Sequence, residues 1–248
     1  MQSIFMTVKK HIPNFITLLN LLSGCIALIF AFQEQFEMAF YFVCLGIFLD
    51  FFDGFFARLF HVSSPLGLQL DSLADMVTSG VVPGTVMYFM LTNALNSPKV
   101  DVYNPAFWLA CTGFIITLGS CYRLANFNID TRQSDSFIGL PTPANALFIL
   151  SLPLVLQFSE SLVVLELLTN VWVLIIISLL SVYLLNAEIP LFSLKIKNFS
   201  FQKYALQIGF VLFSILLLIF LRFSAVPLLI LSYVLLSIIV TKFSKSNK

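Results

Sequence analysis

The chain has 248 residues, of which 59% are hydrophobic and only 10% charged, and its mean hydropathy is +0.99. Soluble domains carry about 25% charged residues, so a water-soluble globule is excluded and an integral membrane protein is implied. A net charge of +1 provides no basic surface for nucleic acid.

A bilayer-crossing helix needs about 20 mostly apolar residues. Along the chain such runs fall near 15–32, 38–60, 71–95, 106–126, 142–158, 168–187, 205–222 and 224–241. Pro153 interrupts the fifth, and a tight turn near Arg222 and Phe223 joins the last two, which also read as one re-entrant pair. The first run lacks a small-residue cleavage site and predicts a retained helix. The pattern predicts an all-α polytopic membrane bundle of about eight transmembrane helices, forming one domain over 1–248. Eight spans put both termini on one side, together with Lys9, Lys10, Arg58, Arg123, Arg132, Lys195, Lys197, Lys203, Lys242, Lys245 and Lys248. The other side keeps Lys99 and Arg222. Eleven against two predicts cytoplasmic termini by the positive-inside rule. Cys25, Cys44, Cys111 and Cys121 lie within these runs at no metal-ligand spacing and read as packing residues. The 28 phenylalanines read as packing and lipid-facing bulk.

Residues 49–80, LDFFDGFFARLFHVSSPLGLQLDSLADMVTSG, break the apolar pattern with four aspartates and an arginine. On a helix Asp50 and Asp53 share a face, and Ala57 falls on it too. After a turn around 61–65, Asp71 and Asp75 stand at i and i+4 on a second helix, with Gly67 one turn before Asp71. Antiparallel pairing across that turn brings the two carboxylate faces together near the cytoplasmic end. Gly54 and Gly67 remove side chains where a partner must approach the backbone. Four facing carboxylates stay ionised only with cations between them, and otherwise take up protons. All-oxygen ligation suits Mg²⁺, Mn²⁺ or Ca²⁺. Four acids can hold two such ions about 3.5–4 Å apart, the arrangement for in-line displacement at phosphorus. A proton relay or cation pathway is the other use of membrane carboxylates, but it leaves Gly54, Ala57, Arg58 and Gly67 without a role.

The pattern Asp50-x-x-Asp53-Gly54-x-x-Ala57-Arg58, eight residues, Gly67-x-x-x-Asp71-x-x-x-Asp75 resembles the complete signature of the CDP-alcohol phosphatidyltransferases. The resemblance implies a membrane enzyme, commonly a homodimer, that moves a phosphatidyl group from CDP-diacylglycerol to an alcohol and releases CMP. It implies that Asp50, Asp53, Asp71 and Asp75 surround two divalent ions, Mg²⁺ or Mn²⁺, with Asp75 as general base toward the acceptor hydroxyl. Gly54 and Ala57 would then leave room for cytidine and ribose, with Gly67 in the same site and Arg58 meeting phosphate. Arg58 also reads as an inside-facing topogenic charge or a headgroup anchor. Ahead of the signature, Pro13 and Asn14 suit a break entering the first helix, and Asn14, Thr17 and Asn20 follow at i, i+3 and i+6. These polar side chains either line the CDP-diacylglycerol cavity or hydrogen-bond between helices.

The stretches YRLANFNID at 122–130, FIGLPTPANALF at 137–148 and DSLADMVTSGVVPG after the turn resemble the integral-membrane phosphatidylserine synthase branch, over roughly the first six helices. Asn126 stands where that branch usually carries an arginine. Arg123 can take the carboxylate of serine as a fork, and Asn126, Asn128 and Thr142 are further candidates for the acceptor pocket. Pro141 and Pro143 read as shaping the chain. The resemblance thus implies L-serine as acceptor, with glycerol 3-phosphate, inositol phosphate or choline as alternatives. A phosphorylated acceptor would require several cavity-facing cations. Beyond Arg58 and Arg123 the candidates are loop charges such as Arg132, Lys195, Lys197 and Lys203. On this reading the catalytic helices occupy about 12–160 and additional C-terminal helices about 168–241. The site faces the cytoplasm from a membrane of the prokaryotic inner-membrane type.

Overall fold

The computed structural model describes residues 2–62, 64–96, 101–130, 137–191 and 205–246. Lys99, Arg132, Lys195, Lys197, Lys203 and Lys248 lie outside the described residues, as do the side chains of Lys9, Lys10, Lys242 and Lys245. Of the charge asymmetry, Arg58, Arg123 and Arg222 are therefore placed.

Helix α1 (Gln2–Phe32) turns through Glu34, at φ +57°, into α2 (Phe36–Phe60). The two run antiparallel, since Thr17 bonds to Asp53 while Ser23 donates to the Phe42 carbonyl. Where the sequence suggests a break at Pro13, α1 continues through it. A helical proline forfeits one backbone hydrogen bond, a loss that side chains and neighbouring helices absorb in membrane helices. Thr17 places its hydroxyl 3.1 Å from the Pro13 carbonyl. On α2 the helical period separates two faces. Phe48, Phe51 and Phe55 point outward, as suits a lipid-facing stripe, while Asp53 is buried.

His61, at φ +53°, ends α2. Ser64 then caps α3 (Pro65–Asp75), its Oγ accepting from the Gly67 N–H at 3.0 Å, with Pro65 in the first turn. This is the serine-proline turn expected from the sequence, and it starts the helix at 65 rather than 71. A π-helical segment, Met76–Val81, follows before α4 (Val82–Ala94). Pro83 supplies no N–H and crowds the carbonyl four residues back. The wider turn accommodates it, and Val82 bonds instead to the Val77 carbonyl.

Further along come α5 (Pro105–Ala110), a 3₁₀ turn at Cys111–Phe114, α6 (Ile115–Ile129) and α7 (Thr142–Phe158). Helices α8 (Leu162–Leu168) and α9 (Val171–Asn186) meet at a 71° bend. The chain closes with α10 (Ala205–Leu221), a 3₁₀ turn and α11 (Ala225–Ser246). The described residues are helical apart from turns and one short ladder, in which β1 (Phe137–Ile138) pairs antiparallel with β2 (Pro190–Leu191). Beside it Gly139 adopts φ +74°, and a Cβ there would meet the Leu185 carbonyl oxygen at 2.6 Å. Only glycine fits this position, which fastens the α6–α7 connection onto the end of α9.

Among the described residues, four stretches are long and apolar enough to cross a membrane: His11–Phe32, Phe36–Phe60, Pro105–Ile129 and Gly209–Ile239. The bent α8–α9 pair makes a fifth, and α7 is a shorter apolar helix. The last stretch reverses at Arg222, φ +47°, as the turn in the sequence suggests. The rings of Phe210 and Tyr233 lie 5.9 Å apart, whereas one continuous helix would separate them by roughly 35 Å. The expected spans 71–95 and 168–187 do not coincide with single uninterrupted helices. A π segment divides the first, and the second begins at the α8–α9 bend.

Helix α7 is the central strut, burying Ala146, Ile149, Leu150 and Leu154 in two apolar clusters with Ala27, Val43, Val86, Met87 and Leu174. Lipid tails are as apolar as leucine, so close packing rather than water exclusion holds such helices together. Gly24 and Gly46 provide it beside the π segment. A Cβ on Gly24 would lie 2.5 Å from Thr78 Oγ1 and 3.0 Å from its Cα, and one on Gly46 would lie 2.7 Å from Thr78 Cγ2. Gly24→Ala should therefore cost about 1–3 kcal/mol, read as a lower midpoint of thermal unfolding in detergent. An unchanged midpoint would refute the close approach.

Candidate active site

Helical spacing on α2 and the capped turn into α3 bring three acids together. Ligand oxygens of Asp50, Asp53 and Asp71 all lie within 4.8 Å of one another. Asp53 is 6% exposed, and the Thr17 hydroxyl reaches its Oδ2 at 2.5 Å. Arg58, one turn beyond Asp53 on α2, is the cation that acts on Asp53. Three carboxylates at this spacing require a further cation or protons. A donor set of carboxylate oxygen alone fits a hard divalent ion.

Asp75 stands outside this trio, one turn further along. Asn20 Nδ2 donates to its Oδ1 at 3.2 Å, and Thr78 donates to Asn20 Oδ1 at 2.9 Å. The Thr78 hydroxyl thereby fixes which end of the Asn20 amide faces the acid. Of the two roles left open by the sequence, Thr17 and Asn20 both hydrogen-bond between helices, and Thr17 also lines the groove beside the acids. Thr78 was not singled out by sequence reasoning. Its only signal was a small polar residue one turn after Asp75.

A groove of about 180 Å³ runs beside the trio, lined by Asn14, Thr17, Asp53, Gly54, Ala57, Gly67 and Asp71. The structure therefore gathers most of the CDP-diacylglycerol residues expected from the sequence onto one surface. At Gly67 a Cβ would sit 3.2 Å from Asn14 Oδ1 and 3.3 Å from Ser64 Oγ. At Gly54 it would meet only the Arg58 guanidinium, at 3.5–4.0 Å, so the backbone lies open toward the groove. Arg58 is exposed and reaches over Gly54 from the next turn of α2.

On the acceptor side the expected residues separate. Arg123 is 8% exposed, with Nη2 3.5 Å from the Gly139 carbonyl and Nε without a hydrogen-bond partner. Asn128 exchanges hydrogen bonds with Ser72, next to Asp71, at 2.9 and 3.2 Å, tying α6 to α3. Thr142 is buried at the start of α7, whereas Asn126 is exposed on α6. Three further buried polar side chains were missed by the sequence reading: Ser79, Ser120 and Asn145. Among the described residues, Ser79 Oγ, Ser120 Oγ and Asn145 Nδ2 have no hydrogen-bond partner. Ser120 lies one turn before Arg123 and packs on Gly80, whose Cβ position is 3.3 Å from Ser120 Cβ. Buried groups left open in this way mark places where a ligand or water completes the bonding.

The family model of the CDP-alcohol phosphatidyltransferases matches residues 10–183. The chain is 36% identical over 139 residues to the CDP-diacylglycerol–serine O-phosphatidyltransferase of Helicobacter pylori strain J99, covering 55% of this chain and 54% of that protein. Against the enzyme of the same name from Bacillus subtilis strain 168 it is 34% identical over 134 residues, covering 54% and 70%. Against that of Saccharomyces cerevisiae strain S288c it is 31% identical over 161 residues, covering 57% and 53%. The match spans about half the length of the Helicobacter and yeast relatives. With Asp53, Gly54, Ala57, Gly67 and Asp71 of the signature lining one groove, Asp50 clustered with two of them, and the family's own pattern extending from the first helix to α9, the chain belongs to the CDP-alcohol phosphatidyltransferase family.

Proposed function

We propose that this chain transfers the phosphatidyl group of CDP-diacylglycerol to L-serine, forming phosphatidylserine and releasing CMP. The observation that carries the proposal is the convergence of Asp50, Asp53 and Asp71 beside a groove built from the signature residues. The relatives named as serine O-phosphatidyltransferases support serine as the acceptor. A cation pathway finds no support in this family match.

The nucleotide lies in the groove over Gly54 and Ala57, near Asn14 and Gly67, with Arg58 toward phosphate. Asp50, Asp53 and Asp71, with Asp75 one turn beyond, would hold two divalent ions, Mg²⁺ or Mn²⁺, which would supply charge neutralisation at the reacting phosphate. Asp75 takes the proton of the serine hydroxyl, Asn20 having fixed one carboxylate oxygen and left the other free. The serine oxygen forms a bond to the phosphorus beside diacylglycerol as the bond to the CMP phosphate oxygen breaks. Arg123 Nε is available to the serine carboxylate, with Ser120 one turn before it; Asn128, Thr142 and the exposed Asn126 are further acceptor candidates. In this proposal the enzyme works as a homodimer with its site at the cytoplasmic face of a prokaryotic inner membrane. Arg58 and Arg123 at the site end, against Arg222 at the other, support that orientation.

Purified protein in detergent should release CMP from CDP-diacylglycerol with serine and Mn²⁺ or Mg²⁺, and lose that release to chelator. Release with glycerol 3-phosphate, inositol phosphate or choline, and none with serine, would overturn the acceptor. Asp75→Asn should lower kcat by about 10²–10⁴ while CDP-diacylglycerol still binds; near-normal turnover would remove the general base. Gly54→Ala should not lower the unfolding midpoint, since the added methyl meets only the exposed Arg58 guanidinium and alanine favours the helix, yet it should raise the KM for CDP-diacylglycerol several-fold. An unaltered KM would show that the nucleotide does not lie against Gly54.

A further inference from the structure

The buried Arg123 guanidinium is held loosely, with Nη2 3.5 Å from the Gly139 carbonyl and Nε without a hydrogen-bond partner among the described residues. A side chain held so loosely takes its position from the backbone that carries it. That backbone is fastened from outside α6. Asn186, the last residue of α9, donates its Nδ2 to the Gly119 carbonyl at 3.2 Å and to the Val182 carbonyl of its own helix at 3.0 Å. In helical register the Gly119 carbonyl faces the N–H of Arg123, four residues on. Gly119 makes the approach possible, since a Cβ there would lie 2.9 Å from Val182 Cγ1. Val182 and Asn186 stand one turn apart on α9, so the two contacts form a single seam against the turn that carries Arg123.

The same end of α9 also holds the far side of the guanidinium. The Gly139 N–H donates to the Ile189 carbonyl at 2.9 Å, and the Leu140 N–H to the Leu184 carbonyl at 2.8 Å. Residues 182–189 thus fix both the turn from which Arg123 projects and the carbonyl beside its Nη2. On another face α6 is tied to the π segment, where Thr117 donates to the Gly80 carbonyl at 2.9 Å and Ser120 packs on Gly80. That segment continues directly from Asp75, which is hydrogen-bonded from α1. The acids and Arg123 are therefore fastened by different elements. Loosening the α9 seam would shift the cation and leave the carboxylates in place.

We propose that Asn186 is a positioning residue for the acceptor: by clipping the Gly119 carbonyl it sets the reach of the Arg123 guanidinium, and with it the affinity for an acceptor bearing a carboxylate. The proposal rests on the reading above in which Arg123 meets the serine carboxylate. Asn186 is exposed at the end of its helix. Its truncation to alanine therefore removes two side-chain hydrogen bonds without opening a cavity in the core, and both carbonyls keep their helical N–H partners.

Initial rates of CMP release, with serine and CDP-diacylglycerol varied in turn, test it. Asn186→Ala should raise the serine KM by about fivefold or more, while the KM for CDP-diacylglycerol changes by less than about twofold. Equal rises in both constants, the mark of a loosened bundle, or a rise in neither, would overturn the proposal. A double-variant cycle with Arg123→Lys, which keeps a cation but loses the fork, reads the coupling directly. The lysine alone should raise the serine KM, and adding Asn186→Ala should raise it by less than about twofold more. Full multiplication of the two effects would show that Asn186 does not act through Arg123 and would overturn its positioning role. The two readings fail differently. An unchanged serine KM in Arg123→Lys removes Arg123 from the acceptor site and the proposal with it, whereas a raised serine KM there, with none in Asn186→Ala, removes Asn186 alone.

Discussion

Asp50, Asp53 and Asp71 repel one another, and holding their oxygens within 4.8 Å inside an apolar bundle is the constraint to which the surrounding packing answers. Neither α2 nor α3 achieves this alone. Helix α1 supplies the fastening, with Thr17 on Asp53 and Asn20 on Asp75. Those two contacts cross from one helix to two others, so the acids keep their separation only while three helices stay in register. The capped turn at Ser64 sets where α3 begins, and with it which residues meet α2. A cation at the trio would turn the mutual repulsion of the acids into shared ligation.

The π segment extends the same logic. Its wider turn follows Asp75 directly and carries Thr78, Ser79 and Gly80 into the interior. Thr78 reaches Asn20 because Gly24 and Gly46 present no side chains against it. Pro83 supplies the local reason for the irregular winding, and the result is an amide held in one orientation against the acid. Irregular helix at membrane depth is tolerable where its polar groups are buried in protein, and Thr78 and Ser79 are buried here.

The aspartate site was legible because helical periodicity is a short-range property: spacings of three and four residues fix a shared face whatever the rest of the bundle does. The Ser64–Pro65 turn was equally local. Pro13 was misleading for the converse reason, since its isolated preference for a break yields to packing and to the neighbouring Thr17. The pairings of Thr78 with Asn20 and of Asn145 with Ser181 join residues far apart in sequence, and no local pattern announces them. The spans were blurred where hydropathy was right but geometry was not. Apolar content alone does not register a π segment, a 71° bend or a reversal at Arg222.

The bundle also falls into two regions. Residues 10–183 carry the family pattern and contain the acids, the groove and Arg123. Helix α7 lies between that set and α11, packing on α2 and α4 with one face and lining an apolar cavity with Asn145, Phe148 and Leu152 on another. The α6–α7 connection links the two regions physically, since Gly139 offers its carbonyl to Arg123 while its neighbour Leu140 enters the cavity wall. The φ of Gly139 and its approach to α9 hold that connection in place. Gly139 thus ties Arg123 to the end of α9, while the aspartates are fastened separately from α1.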